Sequence, residues 1–419
     1  MPKLIPSFLR RVGPGVVTGA ADDDPSGIAT YTQAGAQFGT GLIWTVFLSL
    51  PFMIAIQLVS ARIGRVTGKG LAANLREHTP RSFLLLVVVL LTLANTINIA
   101  ADIAAMGEAL QLVLGGDRHF HAVLFGLLTV LLQIFVPYRR LAPILKWLTL
   151  FLFAYVMAIF TVQVPWVQVL HDLVIPQLQW SSAYWMMLVA LLGTTLSPYL
   201  FFWQASQEVE ELRLKGQASS CVSAIGRDLQ RVRRDTIAGM CFSNLIAFFI
   251  MVMAAVVLYG AGIRDITSAS QAALALKPLA GDFAFMLFAG GVIGTGLLAV
   301  PVLASSAAYA VAEAFGWPEG LQRRWYEAKR FYTIIAVATL VGTGLSFTSI
   351  DPMKALYWSA IINGVVAAPI MVGLMLLASN KTVMGPFISG VKTRWFGWLG
   401  AGIMSLAVLM MLWDLWPGR

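Results

Sequence analysis

The sequence predicts an all-α polytopic membrane protein of eleven transmembrane helices: two inverted five-helix repeats plus one extra helix, with helices 1 and 6 broken. Three observations predict it. The chain of 419 residues is 58% hydrophobic and 12% charged, with a mean hydropathy of +0.78, whereas soluble domains carry about 25% charged residues. The apolar residues fall into eleven stretches, each near the ~20 residues that a bilayer crossing needs. Helix breakers recur at the middle of the first and sixth stretches, the first of each set of five.

Hydropathy places the spans near 13–38, 42–61, 83–110, 120–137, 143–164, 184–205, 236–259, 283–312, 331–348, 354–378 and 397–416. The first repeat is then 1–164, the second 165–378, and 379–419 carries the additional helix. The alternative, a very hydrophobic soluble enzyme, could not coat so much apolar surface with so few polar groups.

Net charge is +9, and its distribution is topological. Basic residues gather at the N-terminus (Lys3, Arg10, Arg11) and after every even span. Examples are Arg62, Arg65, Lys69, Arg76 and Arg81 after span two, and Arg139, Arg140 and Lys146 after span four. The stretch after span six adds Arg213, Lys215, Arg227, Arg231, Arg233 and Arg234. The other side holds Arg118, Arg264, Lys277, Lys354 and Arg419. Under the positive-inside rule the N-terminus is cytoplasmic and the C-terminus extracytoplasmic. The basic balance therefore gives no reason to expect a nucleic-acid partner; the expected surroundings are a lipid bilayer. Met1 to Arg11 lacks the apolar core of a cleavable signal, and the absence of a transit-like segment suggests a bacterial inner (plasma) membrane. Cys221 and Cys241 form neither a disulfide framework nor a CxxC pattern.

In span one the breaker is Asp24-Pro25-Ser26-Gly27, and in span six it is Ser197-Pro198-Tyr199. Proline removes a backbone donor and clashes with the carbonyl one turn back. Ordinary kinked helices would also tolerate proline, but matched positions in two inverted halves are the pattern of transporters whose site lies at discontinuous helices. Span one adds Asp22, Asp23 and Asp24, each costing about 2.5–3.5 kcal/mol or more at the bilayer centre unless water, cations or unwound backbone compensate. If the run were instead an interfacial loop, Val12 to Ala21 would be left to cross alone, which is too short. In span three Asp102 is a candidate for the pathway, while Glu108 approaches the outer interface.

Other polar residues read as structural. Asn95, Asn98, Asn244 and Asn363 suit interhelical hydrogen bonds, with Asn363 also a candidate for the cavity. Glu313 reads as an interface residue. The stretch from Ser206 to Asp235, mixing Glu208, Glu210 and Glu211 with Arg233-Arg234, reads as a helix on the inner leaflet. Trp166, Trp180, Trp185, Trp395, Trp398, Trp413 and Trp416 lie near span ends, as an aromatic belt does.

At Gly13-Pro14-Gly15, Asp24-Pro25-Ser26-Gly27 and Gln33-Ala34-Gly35-Ala36-Gln37-Phe38-Gly39 the chain resembles the first helix of Nramp-type divalent-metal transporters. Those proteins carry Asp-Pro-Gly-Asn at the first break and Met-Pro-His at the second. The resemblance covers the whole chain in span count, and helices one, three and six in motif. It implies a LeuT-like fold. It also implies a metal site at Asp24, Gly27, Thr194 and Ser197, with Asp22, Asp23, Tyr199, Asp102 and Asn363 as candidates for the cavity or pathway. The family's coordinating Asp falls on Asp24, its Asn on Gly27, its helix-six carbonyl donor on Thr194, its Met on Ser197 and its His on Tyr199. In helix three its Asp falls on Asp102, and the Glu three residues on becomes Ala105. These departures match the Nramp-related magnesium transporter branch.

Thioether and imidazole suit softer transition metals, whereas carboxylate, carbonyl, hydroxyl and water suit magnesium, calcium and manganese. Magnesium usually keeps several waters and is held by one or two carboxylates. Gly27 and Ser197 would leave hydrophilic room for a partly hydrated ion, although small residues also serve helix packing. The expected function is import of hard divalent cations, Mg2+ and also Mn2+, by alternating access. With Ala105 and Tyr199 in place of proton-carrying groups, uptake is expected not to be proton-coupled. The metal is substrate, and no cofactor is expected. The alternatives are a proton-coupled manganese or transition-metal importer, or an organic-cation or amino-acid symporter of the same plan. An enzyme is not expected, because with no His and one Cys, Cys241, in the spans no nucleophile–base or metal-ligand set is apparent there.

Overall fold

The computed structural model describes residues 13–136, 149–214 and 222–415. Lys3, Arg10, Arg11, Arg139, Arg140, Lys146, Lys215, Cys221, Trp416 and Arg419 lie outside the described residues, as does the start of the expected fifth span.

The regular secondary structure of the described residues is all helical, with no strand among them. The chain opens with α1 (Pro14–Asp22), α2 (Pro25–Phe38), α3 (Trp44–Thr67), α4 (Leu71–His78), α5 (Arg81–Leu114) and α6 (Arg118–Phe135). After a short helical stretch from Thr149 to Thr161, part of the expected fifth span, come α7 (Trp166–Val174), α8 (Ser182–Thr195), α9 (Pro198–Leu214) and α10 (Val222–Ala254). The fold closes with α11 (Ala284–Phe315), α12 (Lys329–Leu345), α13 (Pro352–Ser379) and α14 (Val391–Asp414). By length and composition 8 helical segments are apolar enough to cross a membrane, with α8 and α9 together forming one of them. The α1–α2 pair and the 17-residue α12 fall outside that set individually, so these lengths leave the count of eleven undecided.

Both expected breaks are present, and they share one backbone solution. Asp23 leaves the helix at ψ 52 and Leu196 at ψ 50, each two residues before the proline that restarts the next helix. The residue preceding a proline is barred from the α region, and Asp24 accordingly sits at φ −69, ψ 171. Its carboxylate accepts the Gly27 N–H and so caps α2, whose first residue, Pro25, needs no partner.

The broken pair is held by close backbone contact. A Cβ on Gly19 of α1 would collide with the backbone of Gly239 on α10, and one on Gly193 of α8 with the backbone of Ala360 and Gly364 on α13. Without a hydrophobic drive between helices in lipid, such small-residue contacts supply the packing. The outward face of α5, by contrast, exposes Leu85, Leu86, Val89 and Leu93, as a lipid-facing surface should. Asn95 donates to Leu303 O at 2.9 Å and Asn244 to Val46 O at 2.8 Å, both bridging helices as expected.

Two expectations are corrected. The Ser206–Asp235 stretch is no surface helix: its described parts prolong α9 and α10, and Glu208 and Glu210 are buried. They are buried because they have partners. Arg231 pairs with Glu208 at 3.1 Å and Glu211 at 3.0 Å, while Glu210 accepts from the Leu321 N–H at 2.6 Å and from Tyr309. Glu313 is likewise no interface residue. It is 5% exposed and caps α4, accepting the Ala72 N–H at 3.0 Å and the Ser206 hydroxyl at 2.7 Å.

Candidate functional site

The break in α1–α2 places Asp24 at the meeting point of three other helices. Its Oδ1 accepts the Ser26 hydroxyl and the Gly27 N–H, each at 2.7 Å. Its Oδ2 accepts the side-chain amide of Asn98 on α5 at 3.0 Å, and the hydroxyl of Tyr199 on α9 shares its proton between Ala21 O at 3.0 Å and this oxygen at 3.3 Å. The Ser359 hydroxyl on α13 donates to Asn98 Oδ1 at 2.7 Å. That contact turns the NH2 group of Asn98 toward Asp24, so that α13 acts on the carboxylate through α5.

Sequence reasoning gave Asn98 only a packing role and missed Ser359. The signal for Asn98 was available, since it lies four residues before Asp102 on one helix face. For Ser359 there was none. Asn363, the residue expected from this helix, is buried with Oδ1 unpartnered, and the described hydrogen bonds do not join it to Asp24.

The remaining acids divide into two environments. Ser243 on α10 donates to Asp22 Oδ2 at 2.6 Å and lies 3.2 Å from Asp23 Oδ1, so these two carboxylates engage α10. Asp102 is fully buried, and neither of its oxygens has a hydrogen-bond partner. Asp24 is the charged group whose field reaches it.

The second break contributes backbone. The Ser197 hydroxyl donates to Thr194 O at 2.7 Å, and Gly193 O lies 3.1 Å from it, which satisfies carbonyls at the end of α8. The space beside Gly27 is filled: a Cβ there would lie 3.1 Å from Thr194 Oγ1, 3.3 Å from Asp22 O and 3.4 Å from the Tyr31 ring. In this conformation Gly27 therefore serves close approach between the two breaks. Among the described residues no group of three or more His, Cys, Asp or Glu side chains converges as a metal ion would need.

The two faces of the protein differ. On one, a cavity of about 290 Å³ is lined by residues including Gln33, Gln37, Asp265, Lys354 and Trp358. A narrower cleft shares its Ala29 and Met353 walls and reaches Pro25 and Ala105. Among the described residues the other, Arg-rich face is bound together by hydrogen bonds and ion pairs. Asp235 of α10 accepts the Gly13 N–H at 3.1 Å and the Gly15 N–H at 2.7 Å, tying down the start of α1. Arg65 pairs with Asp228 beside the Arg231–Glu208 pair.

Residues 15–414 match a protein-family model described as natural resistance-associated macrophage protein-like, Nramp. The chain belongs to the Nramp family. A manganese transporter of Eremococcus coleocola, solved with an aromatic bis-isothiourea compound, superposes with a TM-score of 0.77 at 19% identity, covering 97% of this chain and 88% of that one. MhsT in complex with L-phenylalanine superposes with a TM-score of 0.63 at 10% identity, over 96% and 98% of the two chains. At these identities the likeness establishes a LeuT-type fold. Membership makes this Nramp protein a multi-pass membrane transporter of divalent metal.

Proposed function

We propose that this chain imports hard divalent cations, Mg2+ and also Mn2+, by alternating access and without coupling to protons. The observation that carries the reading is the setting of Asp24, a carboxylate buried at the first break among oxygen and amide groups and with no His or Met sulfur in its hydrogen-bond set. Oxygen donors favour magnesium and manganese over softer metals. Tyr199, where the family's His would stand, has its hydroxyl on Ala21 O at 3.0 Å and on Asp24, a neutral donor in place of a proton carrier. The membrane potential would then drive the ion inward, at about 2.3 kcal/mol per charge per 100 mV.

The distribution of basic residues supports a cytoplasmic N-terminus, and the reading sets the protein in a bacterial inner membrane. The matched backbone at Asp23 and Leu196 supports inverted repeats at 1–164 and 165–378, with 379–419 added. In that orientation the Arg-rich face is cytoplasmic, and the cavity beside Gln33 lies on the outer side.

The test is uptake of Mg2+, Mn2+ and Ca2+ into proteoliposomes by the intact protein and by Asp24→Ala, with a pH indicator inside. Mg2+ and Mn2+ uptake that Asp24→Ala abolishes, without internal acidification, is the expected result. Acidification in step with the metal would overturn the uncoupled mechanism. Absence of divalent uptake would overturn the substrate.

A further inference from the structure

We propose that α7 is an in-plane helix seated in the membrane interface on the cavity side, and that it anchors the far end of α2 to that interface. The partner of its apolar face is the boundary between lipid headgroups and acyl chains. The inference does not depend on which ion is carried.

At 3.6 residues per turn the side chains of α7 fall into three sectors. Trp166, Leu170 and Val174, spaced four apart, form one column with Val167 beside it. Val169 and Asp172 lie on one flank of the column, Gln168 and His171 on the other. Val169 is 0% exposed, whereas Val167 is 87% and Val174 64% exposed, so one residue type on one short helix meets opposite surroundings. A helix lying flat in an interface needs this division, with protein on one flank, acyl chains against the apolar column and water over the polar flank.

Continuity names the occupant. Met157 and Phe160, on the apolar helical stretch Leu150–Thr161 that leads into α7, are exposed in the same way. Leu178 and Trp180, which follow α7, are exposed too, and the Trp180 ring centroid lies 5.6 Å from that of Trp185 near the start of α8. Indole rings at span ends settle at headgroup level. The apolar column is therefore continuous with membrane-facing surface at both its ends. Residues 165–181 carry no Lys or Arg, so apolar burial rather than attraction to anionic headgroups holds α7 down.

The same helix grips α2. The Thr40 hydroxyl donates to Asp172 Oδ2 at 2.5 Å, and the Gln168 side-chain amide donates to Thr40 Oγ1 at 3.3 Å. The Gln177 amide steadies the other oxygen of Asp172 at 2.6 Å. Thr40 directly follows Gly39, whose φ of +58 ends α2. At its other end α2 starts at the first break, and between the two it presents Gln33 and Gln37 to the cavity. Lipid contact along α7 thus sets the depth of the half-helix that begins at the break.

The experiment places one nitroxide at a time on full-length protein in phosphatidylcholine nanodiscs, with Cys221 and Cys241 replaced by Ser. The sites are Leu170→Cys, Val174→Cys, His171→Cys and, as a reference within the bilayer, Leu127→Cys on the exposed face of α6. Collision with oxygen is compared with collision with a water-soluble nickel chelate. Labels at 170 and 174 should favour oxygen severalfold more than the label at 171, and lie shallower than the label at 127. Equal nickel access at 170, 171 and 174 would put the column in water and overturn the proposal. Protection of 170 and 174 from both reagents would mean that a second protein copy covers them, which overturns it equally. Anchoring of α2 is read from the mobility of a nitroxide at Gln37→Cys. Leu170→Asp combined with Val174→Asp should raise that mobility severalfold, and Thr40→Val should do the same by cutting the bond to Asp172. Should the double variant fail to fold, Thr40→Val decides. Unchanged mobility at 37 would leave α2 unanchored and overturn the proposal.

Discussion

The side-chain amide of Asn98 donates to Asp24 Oδ2 at 3.0 Å, and this single bond ties α5 to the break in the first helix. The Ser359 hydroxyl fixes which way the amide points. Replacing Asn98 by Ala should therefore impair transport without altering the fold. A hydrogen bond to a charged group is worth about 1.5–3 kcal/mol, so apparent Mg2+ affinity in proteoliposome uptake should fall on the order of tenfold to a hundredfold. Ser359→Ala should produce a smaller loss in the same direction. Unchanged uptake in Asn98→Ala would show that Asp24 needs no orientation from α5.

Asp235 holds the N–H groups of Gly13 and Gly15 and so latches α1 against α10. Asp235→Ala should release α1 and populate a state open toward the Arg-rich face. The check is thiol labelling of Val209→Cys in a background lacking Cys221 and Cys241, since Val209 is buried on that face. Labelling should speed up severalfold in the Asp235→Ala background. Equal rates would mean that the latch does not set the resting conformation.

Gly19 meets the backbone of Gly239 where α1 crosses α10. No side-chain adjustment can relieve a Cβ set against a backbone carbonyl. Gly19→Leu should cost at least the ~1–3 kcal/mol typical of overpacking, read as a lower unfolding temperature or loss of monodisperse protein. A stable Gly19→Leu variant would place α1 farther from α10 than the structure does.

Outside the membrane-spanning helices, Asp172 of α7 is 2% exposed and accepts the Thr40 hydroxyl at 2.5 Å and the Gln177 amide at 2.6 Å. Burial pushes its carboxyl up, but the bonds from Thr40, His171 and Gln177 outweigh it and hold the group below the usual carboxylate range. A depressed folded value means the stabilisation is present above the unfolded pKa of about 3.9 and is lost as pH falls through the lower folded value. Asp172→Asn should lower thermal stability at pH 7 by about 1.5–3 kcal/mol. The deficit relative to wild type should shrink as the buffer is taken below about pH 4. A pH-independent difference would rule out the charge as its source.

The fold was readable because a bilayer constrains sequence so strongly. Buried length, the basic side and the two X-Pro breaks are properties of the chain itself, and Asp24-Pro25 and Ser197-Pro198 could be placed on broken helices before any coordinate was known. The surface helix expected at Ser206–Asp235 failed for a related reason. Composition shows that Glu208 and Arg231 are charged, but not that they pair and can thus extend a buried helix.

The sequence by itself determined the class, the breaks and the acids within them. Only the tertiary structure decided which acids have partners, since a carboxylate's partners come from helices far apart in sequence. Asp24 takes donors from residues 74 and 175 positions away, and Asp22 and Asp23 turn to Ser243, more than two hundred residues on. Asp102, of the same residue type, is left without a partner. Hydrogen bonds act over about 3 Å, and that distance is set by packing.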